Sequence, residues 1–340
     1  MARRKLSIKS PPSLASVAKA AGVSTAAVSL VLSGRHKDYG LSQDTAERIK
    51  AVADKQGYQR PTRRRGPPRL HVLHFEDLVR MDDRGLGGSV LHPLMEALAV
   101  QGWTASIDTR LPDEATAELL SASAVVIPVN HGFDAQAKKL AQAAAKAGVQ
   151  PVMLGRMIDG LTAIQIDGDQ HGGGRLAAEF LLGQGHRHVA LVAGIAGDPH
   201  SEARIAGFLS TAQRSAKIER WGEGNFTVAD AHRLVAAQLA KGSRPTAIFC
   251  VSDRMALGAL LALREAGLAV PRDVSLVGFD DQAEFANVSP GLSTIRLVAD
   301  GIGAQLATLL EPATAPSSER LLLTARLMVR GSTSVPRTSP

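Results

Sequence analysis

The chain has 340 residues, 39 Lys+Arg against 32 Asp+Glu, a formal net charge of +7 and a single cysteine. One cysteine excludes an intramolecular disulfide framework, and no apolar run approaches the ~20 residues of a membrane-spanning helix, so no membrane partner is expected. The charge is uneven: residues 1–69 hold fifteen basic against four acidic side chains, a net of +11, and the rest hold twenty-four against twenty-eight, a net of −4. A basic surplus confined to one end favours a phosphate backbone as partner, because each neutralised phosphate releases counterions. Arg3, Arg4 and Lys5 precede an Ala-rich region, but Lys19 and several serines interrupt it. An export signal is therefore not expected, and a cytoplasmic location is.

The first elements in chain order are two short helices within SLASVAKAAGVSTAAVSLVLSG, residues 13–34. Ser13 is placed to cap the first helix, whose apolar stripe is Leu14, Val17, Ala18 and Ala21, and Gly22 supplies the turn. Ser24 caps the second helix, which turns Val28, Val31 and Leu32 inward. Thr25, Ala26, Ser29 and Leu30 share its opposite face, where a major-groove reader places base contacts. A third helix follows, with Ser42 as cap, Ile49, Val52 and Ala53 inward and Gly57 as its stop. Residues 1–58 thus read as a helix-turn-helix headpiece of three helices. Residues 59–69 form a linker in which Pro61, Gly66, Pro67 and Pro68 disfavour helix and Arg63, Arg64 and Arg65 concentrate positive charge. Emerging from a DNA-binding headpiece, such an arm is expected to enter an adjacent groove.

Beyond the linker, apolar runs at 71 (HVLHF), 124 (AVVIPV), 189 (VALVAG), 247 (AIFCV) and 274 (VSLVGF) alternate with helical patterns. Buried parallel strands read this way, so residues 70–340 are expected to form a doubly wound α/β module of two lobes. No phosphate loop, G-x-S-x-G elbow or H-E-x-x-H motif is present, and GDQHGGG at 168–174 lacks the spacing of a dinucleotide fingerprint. His186 and His188, at the start of a strand, are expected to point apart, and no metal, cofactor or catalytic residue is expected. Asp280 and Asp281 follow an apolar strand, at the rim where open α/β sheets bind ligands. One of the pair is expected to accept hydrogen bonds from a ligand and the other to cap the next helix.

VAKAAGVSTAAVSLVLSG followed by TAERIKAVADKQGY resembles the headpiece of the lactose and galactose repressor family of transcriptional regulators. Four later segments resemble that family's effector-binding domain, which has the two-lobed architecture of periplasmic binding proteins. They begin at 175 (RLAAEFLLGQGHRHVALVAG), 201 (SEARIAGF), 246 (TAIFCVSDRMALGALLALREAGLAVPRDVSLVGFDD) and 326 (RLMVRGST). The resemblance implies a homodimeric regulator, a repressor in function, that binds double-stranded operator DNA and is switched by a small sugar-like effector. Other readings are a periplasmic-type sugar-binding protein and a regulator that answers to a nucleobase or nucleoside. It also implies that Arg204 clamps the ligand, that Asp280 accepts from its hydroxyls, and that Phe226, Ser252, Arg156 and Phe75 belong to the effector site. The sequence departs from the family at Leu30 and Ala26, where polar readers are common, and at Arg156, where an acid is frequent. The linker lacks the family's leucine-bearing hinge pattern.

Overall fold

The computed structural model describes residues 14–32, 41–56, 58, 67–73, 86–109, 111–129, 132–310 and 315–337. The chain divides into two compact units, residues 1–63 and 64–340.

In the first unit, α1 (Leu14–Ala21), α2 (Thr25–Leu32) and α3 (Gln43–Gln56) pack around Val17, Ala18, Ala21, Val28, Val31, Ala46, Ile49 and Ala53. Val52 and Leu32 are only half-buried. Gly22 takes φ +65°, which lets Val23 N donate to Ala18 O at 3.0 Å and ends α1 within one residue. Ser24 Oγ accepts from Ala27 N at 3.1 Å and Ser42 Oγ from Thr45 N at 3.2 Å, so two of the three expected caps form, and the third, Ser13, lies outside the described residues. Ser16 Oγ donates to Gln56 Oε1 at 2.9 Å and ties α1 to the end of α3.

In the second unit the elements run β1 (Arg69–Val72), α4 (Leu86–Val100), β2 (Thr104–Ile107), α5 (Ala117–Ser121), β3 (Ala124–Pro128), α6 (Asp134–Lys146), β4 (Gln150–Leu154) and β5 (Ile164–Gly168). They continue as α7 (Gln170–Gly183), β6 (His188–Ala193), α8 (Pro199–Ala212), β7 (Lys217–Glu223), α9 (Val228–Ala240), β8 (Ala247–Cys250), α10 (Asp253–Glu265) and β9 (Ser275–Phe279). The last elements are α11 (Ala283–Ala286), β10 (Ser293–Val298), α12 (Ile302–Leu309) and β11 (Glu319–Met328). The strand order is β2-β1-β3-β4-β5-β11-β10-β9-β8-β6-β7, and every pairing is parallel except β10 with β11.

The two lobes meet in β11. Its first half, Glu319–Leu323, pairs with β5, and its second half, from Thr324 to Met328, pairs with β10. The chain therefore passes between lobes three times: after β5, after β10 and within β11. In each lobe helices cover a sheet whose central strands are mostly apolar; β3, β8 and β9 are buried at every position. This is why those strands read as continuous hydrophobic runs in place of alternating ones.

Glycines set how closely α7 and α8 approach. A Cβ at Gly174 would fall 1.8 Å from Arg204 O, and one at Gly207 would fall 1.9 Å from His171 O. The GDQHGGG run thus serves helix packing: in the first turns of α7 the Phe279 ring leaves no room for a side chain at Gly173 and α8 leaves none at Gly174, while a Cβ at Gly172 would collide with the capping Asp169 carboxylate.

Candidate functional site

A connected polar group in the second unit lies at the carboxyl ends of the second lobe's strands. Asp198 caps α8 by accepting from Ser201 N at 2.8 Å, and that helix carries Arg204 on its second turn. Arg204 is buried. Its Nε donates to Gln170 Oε1 at 2.8 Å, its Nη1 donates to Val251 O at 2.5 Å, and the same Nη1 lies 3.2 Å from Asp280 Oδ1. Its Cζ sits 3.7 Å from the centroid of the Phe279 ring, so the guanidinium plane rests on an aromatic face. Asp280, the residue after β9, keeps about a third of its side chain exposed. An arginine so held is fixed before any ligand arrives, while Asp280 still has an open edge.

Backbone conformation marks the same rim. The four described non-glycine residues with positive φ are Asn225 (50°), Phe226 (54°), Asp280 (110°) and Asp281 (53°), and all four follow strand ends of this lobe. Left-handed backbone costs roughly 1–3 kcal/mol per residue and persists where the surroundings hold it in place. For Phe226 the surroundings are Gly194, where a Cβ would fall 2.3 Å from the ring Cζ. For Asp280 and Asp281 they lie beneath the turn. Asp253 Oδ2 accepts from Gln282 N at 2.8 Å, and its Oδ1 accepts from Thr294 Oγ1 at 2.6 Å. Burial, and then the neighbouring Asp280 charge, push the Asp253 carboxyl well above the usual carboxylate range.

Asp281 corrects the expectation that one aspartate caps the next helix. The residue that precedes α11 is Gln282, whose side chain makes no capping bond. Asp281 is buried and pairs with Arg330 at 2.5 Å and with Arg296 at 3.8 Å, which pins the turn to β10 and to the chain after β11. A carboxylate with two arginines in reach is more stable there than at a helix end.

The other expected residues divide. Ser252 is buried and caps α10, its Oγ accepting from Met255 N at 3.3 Å. Arg156 stands at the end of β4 in the first lobe, after Gly155 at φ 120°, and its Nη1 donates to Asp134 Oδ2 at 2.8 Å. The structure therefore gathers Arg204, from α8, with Asp280, Phe226 and Ser252 at the strand ends of the second lobe and puts Arg156 at a strand end of the first. Phe75 lies outside the described residues, as do Ser13, Arg63, Arg64 and Arg65. Helix α2 spans Thr25, Ala26, Ser29 and Leu30; Thr25 is exposed, and the side chains of the other three are outside the described set. Sequence reasoning missed Gln170, Phe279 and Asp253; their signals were present in GDQHGGG, VSLVGF and SDRM, but nothing linear joins them.

Among the described residues no cluster of three or more His, Cys, Asp or Glu could hold a metal, and no helix is long and apolar enough to cross a membrane. His186 and His188 do take separate partners, though not because of the strand pleat. His186 lies ahead of β6 and meets Thr246 Oγ1 and Ser334 O at 3.0 Å each, while His188 meets Glu219 Oε1 at 2.7 Å.

Residues 13–61 match the family model described as bacterial regulatory proteins, lacI family, and residues 178–333 match the periplasmic binding protein-like domain. The HTH-type transcriptional regulator reg1 of Streptomyces lividans is 33% identical over 94% of this chain and 96% of its own length. A solved transcriptional regulator CelR–cellobiose complex is 25% identical with a TM-score of 0.62, covering 94% of this chain and 99% of that one. The lac repressor dimer bound to operator and the anti-inducer ONPF shares the fold at a TM-score of 0.61 and 23% identity, over 96% of this chain and 100% of the other.

Proposed function

The chain belongs to the lacI family of bacterial regulatory proteins, and from that premise we propose how its two units divide the work of a DNA-binding transcriptional regulator. Residues 1–58 read operator DNA through α2, with Ser13, Ser24, Thr25, Ala26, Ser29 and Leu30 at the contact face. Residues 59–69 carry Arg63, Arg64 and Arg65 into an adjacent groove of the operator. Residues 70–340 bind a small polyhydroxylated effector, a sugar or sugar derivative, and dimerise. The protein acts as a cytoplasmic homodimeric repressor, by binding and without turnover of its ligand.

The observation that carries the effector reading is the held Arg204. A guanidinium fixed on Phe279 beside a half-open Asp280 offers a fork of donors and an acceptor to vicinal hydroxyls. Phe226 adds an aromatic face for the apolar side of a sugar ring, and Ser252, Arg156 and Phe75 complete the set. A pair of half-sites read by a two-fold dimer supplies the specificity that one short headpiece lacks.

A thermal-shift panel of cellobiose, ribose, other mono- and disaccharides and purine nucleosides tests the effector, because a ligand selective for the folded state raises Tm. Selection from a random DNA pool, with and without the ligand found, tests the regulator. A nucleoside hit with no saccharide hit overturns the sugar assignment, and chemical conversion of the bound ligand overturns binding without turnover.

A further inference from the structure

Four side chains link up across the first passage between lobes. Arg204 Nε donates to Gln170 Oε1 at 2.8 Å, and Gln170 Nε2 donates to Asp167 Oδ1 at 3.3 Å. His200 Nε2 lies 3.2 Å from that same Asp167 oxygen. Asp167 belongs to β5 in the first lobe and Gln170 opens α7 of the second, so the contact between their side chains spans the crossover itself. His200 and Arg204 stand four residues apart on α8 and share one face. The two ends of the link thus come from one helix, and its middle comes from the chain that joins the lobes.

The chemistry of position 170 fits both jobs at once. A primary amide carries an acceptor and a donor on one planar group, so it takes the Arg204 N–H and gives a hydrogen to Asp167. A carboxylate there would accept from Arg204 more strongly but face Asp167 with like charge, and an alkyl group would do neither. Gln170 is also buried, where a hydrogen bond to a charged group is costly to leave unmade.

We propose that Gln170 is a positioning residue: it holds the Arg204 guanidinium over Phe279 and, through Asp167, ties that guanidinium to the first lobe, so that engaging Arg204 alters the restraint on the crossover. The consequence for effector response rests on the reading of Arg204 as the effector clamp; the positioning does not.

Full-length wild type, Gln170→Leu, Gln170→Glu and Gln170→Asn separate the two bonds. Exchange of the Arg204 Nε–H is followed by 15N NMR, and the spacing of the lobes by spin labels on Lys138→Cys and Arg214→Cys, both at exposed positions. Loss of a charge-assisted hydrogen bond should speed Nε–H exchange about tenfold in Gln170→Leu, while Gln170→Glu exchanges no faster than wild type. The interlobe distance distribution should broaden in both. Should the leucine variant not fold, the shorter amide of Gln170→Asn, which retracts from Arg204, gives the faster exchange in its place. Wild-type exchange in Gln170→Leu and Gln170→Asn overturns the positioning role, and an unbroadened distribution in Gln170→Glu overturns the tie to the first lobe. Calorimetry of wild type with cellobiose and with ribose decides the effector reading separately: absence of heat with both counts against those sugars and leaves the exchange result standing.

Discussion

Arg204 and Asp280 form a buried-to-exposed ion pair, with Nη1 3.2 Å from Oδ1, in which the arginine is nearly sealed and the aspartate is open along one edge. Its Nε also donates to Gln170 and its Nη1 to the Val251 carbonyl. Arg204→Ala should lower effector affinity roughly 10- to 100-fold, the worth of one or more hydrogen bonds from a charged donor, and leave operator affinity intact. Calorimetry and a DNA-binding assay on the same variant check both halves. Equal ligand affinities in wild type and variant would mean that Arg204 is a structural residue only.

Gly174→Ala should be destabilising by about 1–3 kcal/mol or more, because its Cβ would fall 1.8 Å from Arg204 O and backbone cannot step aside cheaply. On the same helix, a Cβ at Gly183 meets nothing within 4 Å. Gly183→Ala should therefore be neutral or stabilising, by up to ~1 kcal/mol from helix propensity. Denaturant midpoints that move the same way for both variants would contradict the close α7–α8 approach.

His71 and His186 are buried, and in each case burial is the leading cause that pulls the imidazole below its ordinary value of 6.5. The neutral ring is the folded form, so unfolding takes up protons once the pH drops below that value. Stability should be fully present above pH 6.5 and decline as pH falls toward the lowered folded values. Melts between about pH 7.5 and about pH 5 should show the loss, and His186→Asn should flatten it. A pH-independent Tm across that window in wild type would remove the argument.

Asp253 sits under the turn that carries Asp280, and its raised carboxyl means that the protonated form is the one folding favours. A carboxyl whose folded value is raised weakens the fold as pH climbs above 3.8, because folding must then take up a proton. An asparagine amide can keep accepting from Gln282 N and turn its donor to Thr294 Oγ1, whereas alanine leaves both groups without a partner. Asp253→Asn should match or exceed wild-type stability at neutral pH, and Asp253→Ala should lose about 1–3 kcal/mol. Identical losses in the two variants would show that the negative charge itself is needed.

For the linker, replacing Arg63, Arg64 and Arg65 with alanine should lower operator affinity and flatten its salt dependence, by a slope of roughly one for each phosphate that is no longer neutralised. Retention of the wild-type slope, or a strong central kink in the bound operator, would favour a hinge helix over a basic arm.

Sequence alone determined the features that repeat with a local period or sit beside one another in the chain. The three headpiece helices follow from apolar spacing and short-range caps, and Ser24 and Ser42 make those bonds three residues ahead. The buried strands follow from unbroken apolar runs, and Asp280 from its place just after one of them. Tertiary structure decided what distant segments do to each other. Gln170 and Arg204 are thirty-four residues apart, Asp253 and Thr294 forty-one, and Asp281 and Arg330 forty-nine, so no window along the chain could join them. The roles of Gly173 and Gly174 were hidden for the same reason, since only the arrival of Phe279 and α8 makes a missing side chain necessary there. From sequence, one of Asp280 and Asp281 is expected to cap the next helix, because a cap is the nearest partner along the chain. Arg296 from β10 and Arg330 from the chain after β11 won because opposite charge at close range outweighs a terminal N–H.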